Sequence, residues 1–262
     1  MSRVAVVTGA ARGVGAATVR ALAADGWDVI AVDRGRDDPR IPYGLGSEPE
    51  LRALAAEAHP NGSVTAVLAD VTDADQLAAA VLVAEHDHGG LDAMIAAAGV
   101  IAGGVPLWEM PLTQEDAVLD VDLRGVITSA RVAVPALLRR PEPRDGRFIA
   151  VASAAATRGL PMLAVYTAAK AGVVGLVKAM AAELRGTGVT ANAVSPGSTR
   201  TAMLDESALL YALDSAEAFA AQQPLGRLLH PHEVAAMIAW LAGPEASGVT
   251  GAALAVDGGL SV

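Results

Sequence analysis

Tyr166 and Lys170 lie four residues apart in Tyr-Thr-Ala-Ala-Lys, thirteen residues after Ser153. On a helix, side chains four apart share one face. A phenol is then held beside an ammonium, whose charge favours phenolate over phenol. A free tyrosine titrates near ~10, too high for a good base at neutral pH. Lys170 is expected to lower that value, and Ser153 to offer a hydrogen bond to a reacting oxygen. Such spacing is common on ordinary helix surfaces, so the weight rests on what surrounds it.

Those surroundings begin with a short apolar run, Arg3-Val4-Ala5-Val6-Val7, which reads as a buried strand. Thr8-Gly9-Ala10-Ala11-Arg12-Gly13-Val14-Gly15 follows at once, and then the helical run Ala16 to Ala24. A glycine-rich turn between a strand and a helix N-terminus lets backbone approach a pyrophosphate, with helix N–H groups as donors. Further strands are expected near 28–32, 63–68, 92–97, 146–152, 188–194 and 253–256. Helices are expected over 14–25, 49–58, 74–88, 113–138, 162–185 and 231–242, with short helical pieces inside 202–223. Alternating strands and helices predict an α/β fold: a doubly wound, Rossmann-type parallel sheet of about seven strands with helices on both faces. Gly9, Gly99, Ser153 and Pro196 then fall at carboxyl ends of strands, the edge where such sheets bind ligands. Asp33 ends the second strand. Its carboxylate can accept both adenosine ribose hydroxyls and would repel a 2′-phosphate, which favours NAD(H) over NADP(H). Arg34, next to it, is a cation that could meet such a phosphate.

Taken together, these motifs resemble the short-chain dehydrogenase/reductase family over essentially the whole chain. Residues 8–15 match the family's Thr-Gly-x-x-x-Gly-x-Gly in full. Its catalytic Ser, Tyr and Lys fall on Ser153, Tyr166 and Lys170. Its Pro-Gly element falls on Pro196-Gly197, followed by Thr199 and Thr201. The C-terminal Thr-Gly-x-x-x-x-Val-Asp-Gly-Gly appears at 250–259. The resemblance implies one NAD-binding domain over 1–262 with a substrate lid near 198–223. It also implies cofactor contacts from Gly9, Arg12, Gly13, Val14, Gly15, Asp33, Asp70, Val71, Ala97 and Gly99. Tyr166, Lys170, Pro196, Gly197, Thr199 and Thr201 complete that set, and the resemblance implies a homotetramer as well.

Two positions depart from the family. Its Asn-Asn-Ala-Gly reads Ala96-Ala97-Ala98-Gly99, so two side-chain amides that brace the central strands are gone. The family's asparagine, whose backbone carbonyl helps hold a water linked to the lysine, is Asp122. A charged Asp122 would raise the lysine's pKa and partly offset its effect on Tyr166. The segment Gly35 to Gly46 is longer than a simple strand–helix connection. It is similar to the insertion of a subset linked to the redox carrier mycofactocin, whose members hold their cofactor without free exchange. A cofactor clasp and an external redox carrier as partner are the corresponding expectations.

Composition narrows the remaining classes. The formal charge is −10, which disfavours nucleic acid and anionic membranes as partners. There are no cysteines, hence no thiolate chemistry, in keeping with a cytoplasmic setting. The first strand begins by Arg3, leaving no room for a signal peptide, and glycines break the apolar stretches, so no transmembrane helix is expected. Neither His86-x-His88 nor His230-x-His232 sits in a ligand cluster, so no metal is expected. Met162 or Leu163, Met203, Leu204, Leu209, Leu210, Tyr211 and Phe219, with Val100, Ile101, Leu107 and Trp108, are candidates to line a substrate pocket. With Ala154 and Ala155 beside Ser153, they predict an apolar secondary alcohol or ketone. Arg158 and Arg200 are the cations near enough in sequence to change that. A ketoacyl reductase and a non-catalytic dinucleotide-binding redox sensor are the alternatives. Asp33 and the acidic charge count against the first, and the complete Ser153–Tyr166–Lys170 set against the second.

Overall fold

The computed structural model describes residues 2–262. In chain order the elements are β1 (Val4–Thr8), α1 (Gly13–Ala24), β2 (Asp28–Asp33), α2 (Glu48–Ala56), β3 (Ser63–Leu68) and α3 (Ala74–His88). Next come β4 (Ala93–Ala96), α4 (Leu112–Leu119), α5 (Gly125–Arg139), β5 (Gly146–Val151) and α6 (Ala164–Glu183). The chain closes with β6 (Val189–Pro196), α7 (Ala202–Leu210), α8 (Pro231–Ala242) and β7 (Ala253–Val256). All seven strands form one sheet in the order β3-β2-β1-β4-β5-β6-β7, with every neighbouring pair parallel. The chain builds outward from β1 to β3, returns to the centre at β4, and builds outward again to β7. A crevice opens at the carboxyl ends where that direction reverses, between β1 and β4.

The inner strands are apolar on both faces because helices cover both. On one side α1, α2 and α8 bury Val19, Leu22, Leu51, Leu54, Val234 and Ile238 against the sheet. On the other, α3, α5 and α6 bury Leu77, Val81, Val126, Leu137, Val173 and Val177. By length and composition α6 could cross a bilayer. In this fold its buried face, including Val173 and Val177, lies in the sheet core instead. Local signals agree with the helix ends. Ser47 and Glu50 form a capping box at the start of α2. The Asp73 carboxylate caps α3, which stops at the left-handed Gly89.

Two expectations need correction. The single helix expected over 113–138 is broken by a π turn at Asp120–Arg124 between α4 and α5. An inserted residue widens one turn without disturbing the apolar pattern on either side, so periodicity passes over it. Helix α6 begins at Ala164, not 162, because Met162 adopts φ 59°, outside the helical region.

Candidate active site

The glycine turn connects β1 to α1 at the reversal point. A Cβ on Gly15 would sit 2.0 Å from the Gly9 carbonyl oxygen, so the turn closes this tightly only with glycine there. The helix beyond it presents bare donors. Arg12 makes no capping bond with its side chain, and no acid lies in the first turn. Uncapped N–H groups with a positive dipole end and no competing carboxylate fit the pyrophosphate of a dinucleotide.

From this turn a continuous cleft of about 780 Å³ runs along the carboxyl edge of the sheet. All sixteen residues expected to contact the cofactor line it: Gly9, Arg12, Gly13, Val14, Gly15, Asp33, Asp70, Val71, Ala97, Gly99, Tyr166, Lys170, Pro196, Gly197, Thr199 and Thr201. Ser153 lines it too. Asp122 does not. It lies behind the cleft wall, with none of its surface exposed.

Asp33 closes β2 with its carboxylate on the cleft. One oxygen accepts from the Ala11 amide at 3.0 Å and the other from Gly35 at 3.2 Å, which locks the acid to the glycine turn. Arg34 lines the cleft but its charge is paired with two acids. Its Nη1 donates to Asp38 at 2.9 Å, and its Nε lies 3.4 Å from Asp70. Asp70 does not cap α3. It accepts from the Thr72 amide and hydroxyl and so shapes the turn after β3. The turn after β4 is braced from β1, where the Thr8 hydroxyl accepts from the Ala97 and Ala98 amides at 3.1 and 3.3 Å.

The long segment after β2 is a strap tied down at several points. Buried Asp38 accepts from Arg34 and Arg40, and Arg40 reaches on to Asp120 at 2.7 Å. Arg12 donates to the Gly44 carbonyl at 2.6 Å. The Tyr43 hydroxyl accepts from the Ile101 amide at 2.8 Å. Ile41, Tyr43 and Leu45 pack into the apolar cluster beneath the cleft with Val71, Val100 and Tyr166. Tyr43, Leu45, Gly46 and, beyond the strap, Glu50 line the cleft, and sequence motifs did not single these out. Alternating apolar positions at 41, 43 and 45 inside a polar loop are the available signal.

At the other end of the cleft, Tyr166 and Lys170 project from the first turns of α6, both almost fully buried. The ammonium lies 5.7 Å from the centre of the Tyr166 ring. It donates to the Val151 carbonyl at 3.1 Å and lies 2.9 Å from Asp122 Oδ1. Burial pushes the Tyr166 hydroxyl above its ordinary value; Lys170 pulls it down, Asp122 pushes it up and Ser153 pulls it down. The net direction is upward, opposite to the expected depression. Desolvation of a buried phenolate outweighs a lysine whose charge is shared with a carboxylate. Burial also works against the Lys170 ammonium, but Asp122 and then Tyr166 outweigh it and hold the lysine above its usual value.

The substrate end is lined by Ala154, Ala155, Leu160, Leu163, Met203 and Tyr211, with Val100, Ile101, Leu204 and Phe219 nearby. Tyr211 is pinned by a 2.6 Å bond from its hydroxyl to the Pro161 carbonyl and by edge-on contact with Phe219. Met162, Leu209, Leu107 and Trp108 are exposed and do not line the cleft; Trp108 is 84% exposed. Leu210 packs beneath the site without lining it. Met162, Leu209, Leu107 and Trp108 are near the cleft in sequence, but their side chains are exposed to solvent. Arg200 pairs with Glu217 away from the cleft, whereas Arg158 lines it and donates to the Leu260 carbonyl.

Comparisons with known proteins cover the whole arrangement. A family model described as enoyl-(acyl carrier protein) reductase matches residues 9–261. A cis-4-hydroxycyclohexanecarboxylate dehydrogenase of Sinomonas cyclohexanicum is 39% identical over 257 residues, 98% of this chain and 96% of the relative. Among solved structures, carveol dehydrogenase from Mycobacterium avium in complex with NAD superimposes with a TM-score of 0.92 at 28% identity, covering 98% of this chain and 97% of that one. The 3-ketoacyl-(acyl-carrier-protein) reductase from Brucella melitensis complexed with NADH gives 0.85 at 30% identity, covering 99% and 98%.

Proposed function

We propose that this chain, which belongs to the short-chain dehydrogenase/reductase family, is an NAD-dependent dehydrogenase or reductase acting on an apolar secondary alcohol or ketone. The observation that carries this reading is the single cleft in which Ser153, Tyr166 and Lys170 share a wall with the glycine turn and Asp33. NAD(H), when bound, accepts or supplies the hydride. Tyr166 exchanges a proton with the substrate oxygen, taking it during oxidation and returning it during reduction. Ser153 orients that oxygen by a hydrogen bond, and Lys170 stabilises the phenolate form of Tyr166.

Support for NAD over NADP comes from the anchored Asp33 carboxylate on the cleft wall and from Arg34, whose charge is committed to Asp38 and Asp70. The strap supports retention of bound cofactor. Membership of the mycofactocin-linked subset, reoxidation by an external redox carrier, a homotetramer and a cytoplasmic location complete the reading. Mass spectrometry of small molecules released from purified protein tests the cofactor and its retention, and NADP recovered in place of NAD overturns it. Alcohols matched in size but differing in charge test the pocket.

A second reading rests on Arg158 and on two relatives. One relative's named substrate carries a carboxylate and the other reduces a carrier-bound ketone. Arg158 is the cation on the substrate wall, and its partner there is a backbone carbonyl. A strong preference for 4-hydroxycyclohexanecarboxylate over the uncharged cyclohexanol, lost in Arg158→Gln, selects an anionic substrate. Turnover of a ketoacyl thioester selects a ketoacyl reductase.

A further inference from the structure

The buried carboxylate at Asp122 has a geometry of its own. The π turn directs it inward, where Oδ2 accepts from the Val100 amide at 3.2 Å and Oδ1 lies 2.9 Å from Lys170 Nζ. That second contact is too poorly angled for a hydrogen bond, so Oδ1 has charge attraction but no donor aimed at it. Space for it comes from Gly99: a Cβ there would sit 2.8 Å from Oδ1 and 3.5 Å from Nζ. An ammonium has three N–H donors. One goes to the Val151 carbonyl, and the ammonium is held 2.9 Å from Asp122 Oδ1 by charge.

We infer that Asp122 is a positioning residue that clamps Lys170 as an ammonium and sets the pH range in which Tyr166 exchanges its proton. This rests on the oxidoreductase reading. The charged and titratable groups facing the clamp are few. Tyr166 stands one turn before Lys170 on α6, Ser153 lies at the end of β5, and Tyr43 on the strap interacts with Asp122, Arg12 and Tyr166. Asp122 is the one carboxylate acting on the Tyr166 hydroxyl among the described residues.

In the proposed reduction, bound NADH would supply the hydride to the carbonyl carbon and become NAD⁺, while the Tyr166 hydroxyl would give its proton to the oxygen to form the alcohol. That step needs the phenol, so its rate is full below the Tyr166 pKa. Oxidation reverses every transfer and needs the phenolate, so its rate climbs only as pH rises through that pKa. Burial pushes the Asp122 carboxyl above its usual value, while Lys170 and the Val100 amide pull it down; in its ionised form it moves both limbs to higher pH, and removing it moves both down.

The test reads Tyr166 directly. Protein carrying ¹³C-labelled tyrosine has three such residues, and Tyr166→Phe identifies the signal that belongs to the site. In Asp122→Asn, the Tyr166 titration is expected to shift to lower pH by roughly one unit or more. Asp122→Ser, which keeps an oxygen near the Val100 amide without the charge, is expected to shift it the same way and serves if the asparagine variant folds poorly. An unmoved midpoint in a folded variant overturns the inference. This measurement needs no substrate. The absence of alcohol or ketone turnover would therefore count against the proposed activity, while the titration would still decide the role of Asp122. With a substrate in hand, the alkaline limb of oxidation and the decline of reduction should move down together.

Discussion

Tyr166 illustrates how one side chain carries two opposed demands. Proton exchange requires contact with the substrate, and burial that excludes water makes the phenolate costly. Lys170, one helical turn along, offsets part of that cost without outweighing it. Tyr166→Phe removes only the hydroxyl and leaves the ring packed among Val71, Val100 and Ile101. Turnover is expected to fall by roughly 100-fold or more, as for loss of a general acid–base group, while NAD(H) affinity changes little. Steady-state rates and equilibrium binding measured on the same preparation check this; near-normal turnover would remove Tyr166 from the mechanism. Asp33 acts through charge at the other end of the cleft. Asp33→Ala is expected to weaken NAD(H) binding and narrow its preference over NADP(H). Tighter NADP(H) than NAD(H) binding by the unaltered protein would refute the cofactor assignment.

At the scale of elements the strap is the feature most open to test. Its hold depends on one buried acid, three arginines and one tyrosine hydroxyl. Tyr43→Phe leaves the Ile101 amide without its acceptor. An orphaned buried donor costs about 1–3 kcal/mol, so hydrogen exchange at Ile101 should accelerate while the sheet amides stay protected. Unchanged protection would show that the strap is held elsewhere. The acid side of the latch has a defined pH dependence. Bonds from Arg40 lead the causes that hold the Asp38 carboxyl well below the usual carboxylate range, against the cost of burial. A depressed folded pKa contributes stability above the unfolded value, near ~3.9, and loses it as pH falls toward the folded one. In tyrosine-labelled protein the Tyr43 signal should therefore hold its position down to about pH 5 and drift toward that of free tyrosine only below about pH 4. Arg40→Gln should move that drift upward in pH.

For the molecule as a whole, the sheet ends in two edge strands of different character. β3 is overlaid by α2, whereas β7 leaves Ala253 and Ala255 exposed, and Trp240 on α8 is also exposed. An open strand edge and an exposed tryptophan are features that natural proteins cover. The homotetramer of the proposed reading would do so. Sedimentation equilibrium should return about four times the 26.4 kDa of one chain; a monomer at assay concentration would contradict it. Helix α6 belongs to this scale as well. Its apolar length suits a bilayer, but in the folded chain its buried stripe lies against the sheet and its first turns carry Tyr166 and Lys170.

What the sequence determined by itself was whatever is local or periodic. The parallel sheet followed from alternating apolar runs, and α3 and α8 were placed to the residue because capping groups and prolines mark their ends. The wall of the cleft was legible for a related reason: glycine turns, Asp33 and Pro196-Gly197 stand at strand ends whose convergence the topology guarantees. Three things were settled only by the tertiary structure. A π turn leaves no trace in the apolar pattern, yet it is what carries Asp122 into the wall. Whether a side chain near the cleft in sequence also lines it depends on turns, so Leu163 lines it and neighbouring Met162 does not. The direction of the Tyr166 shift required a balance between burial and two opposite charges, and burial is a property of everything packed around a residue rather than of its neighbours in the chain.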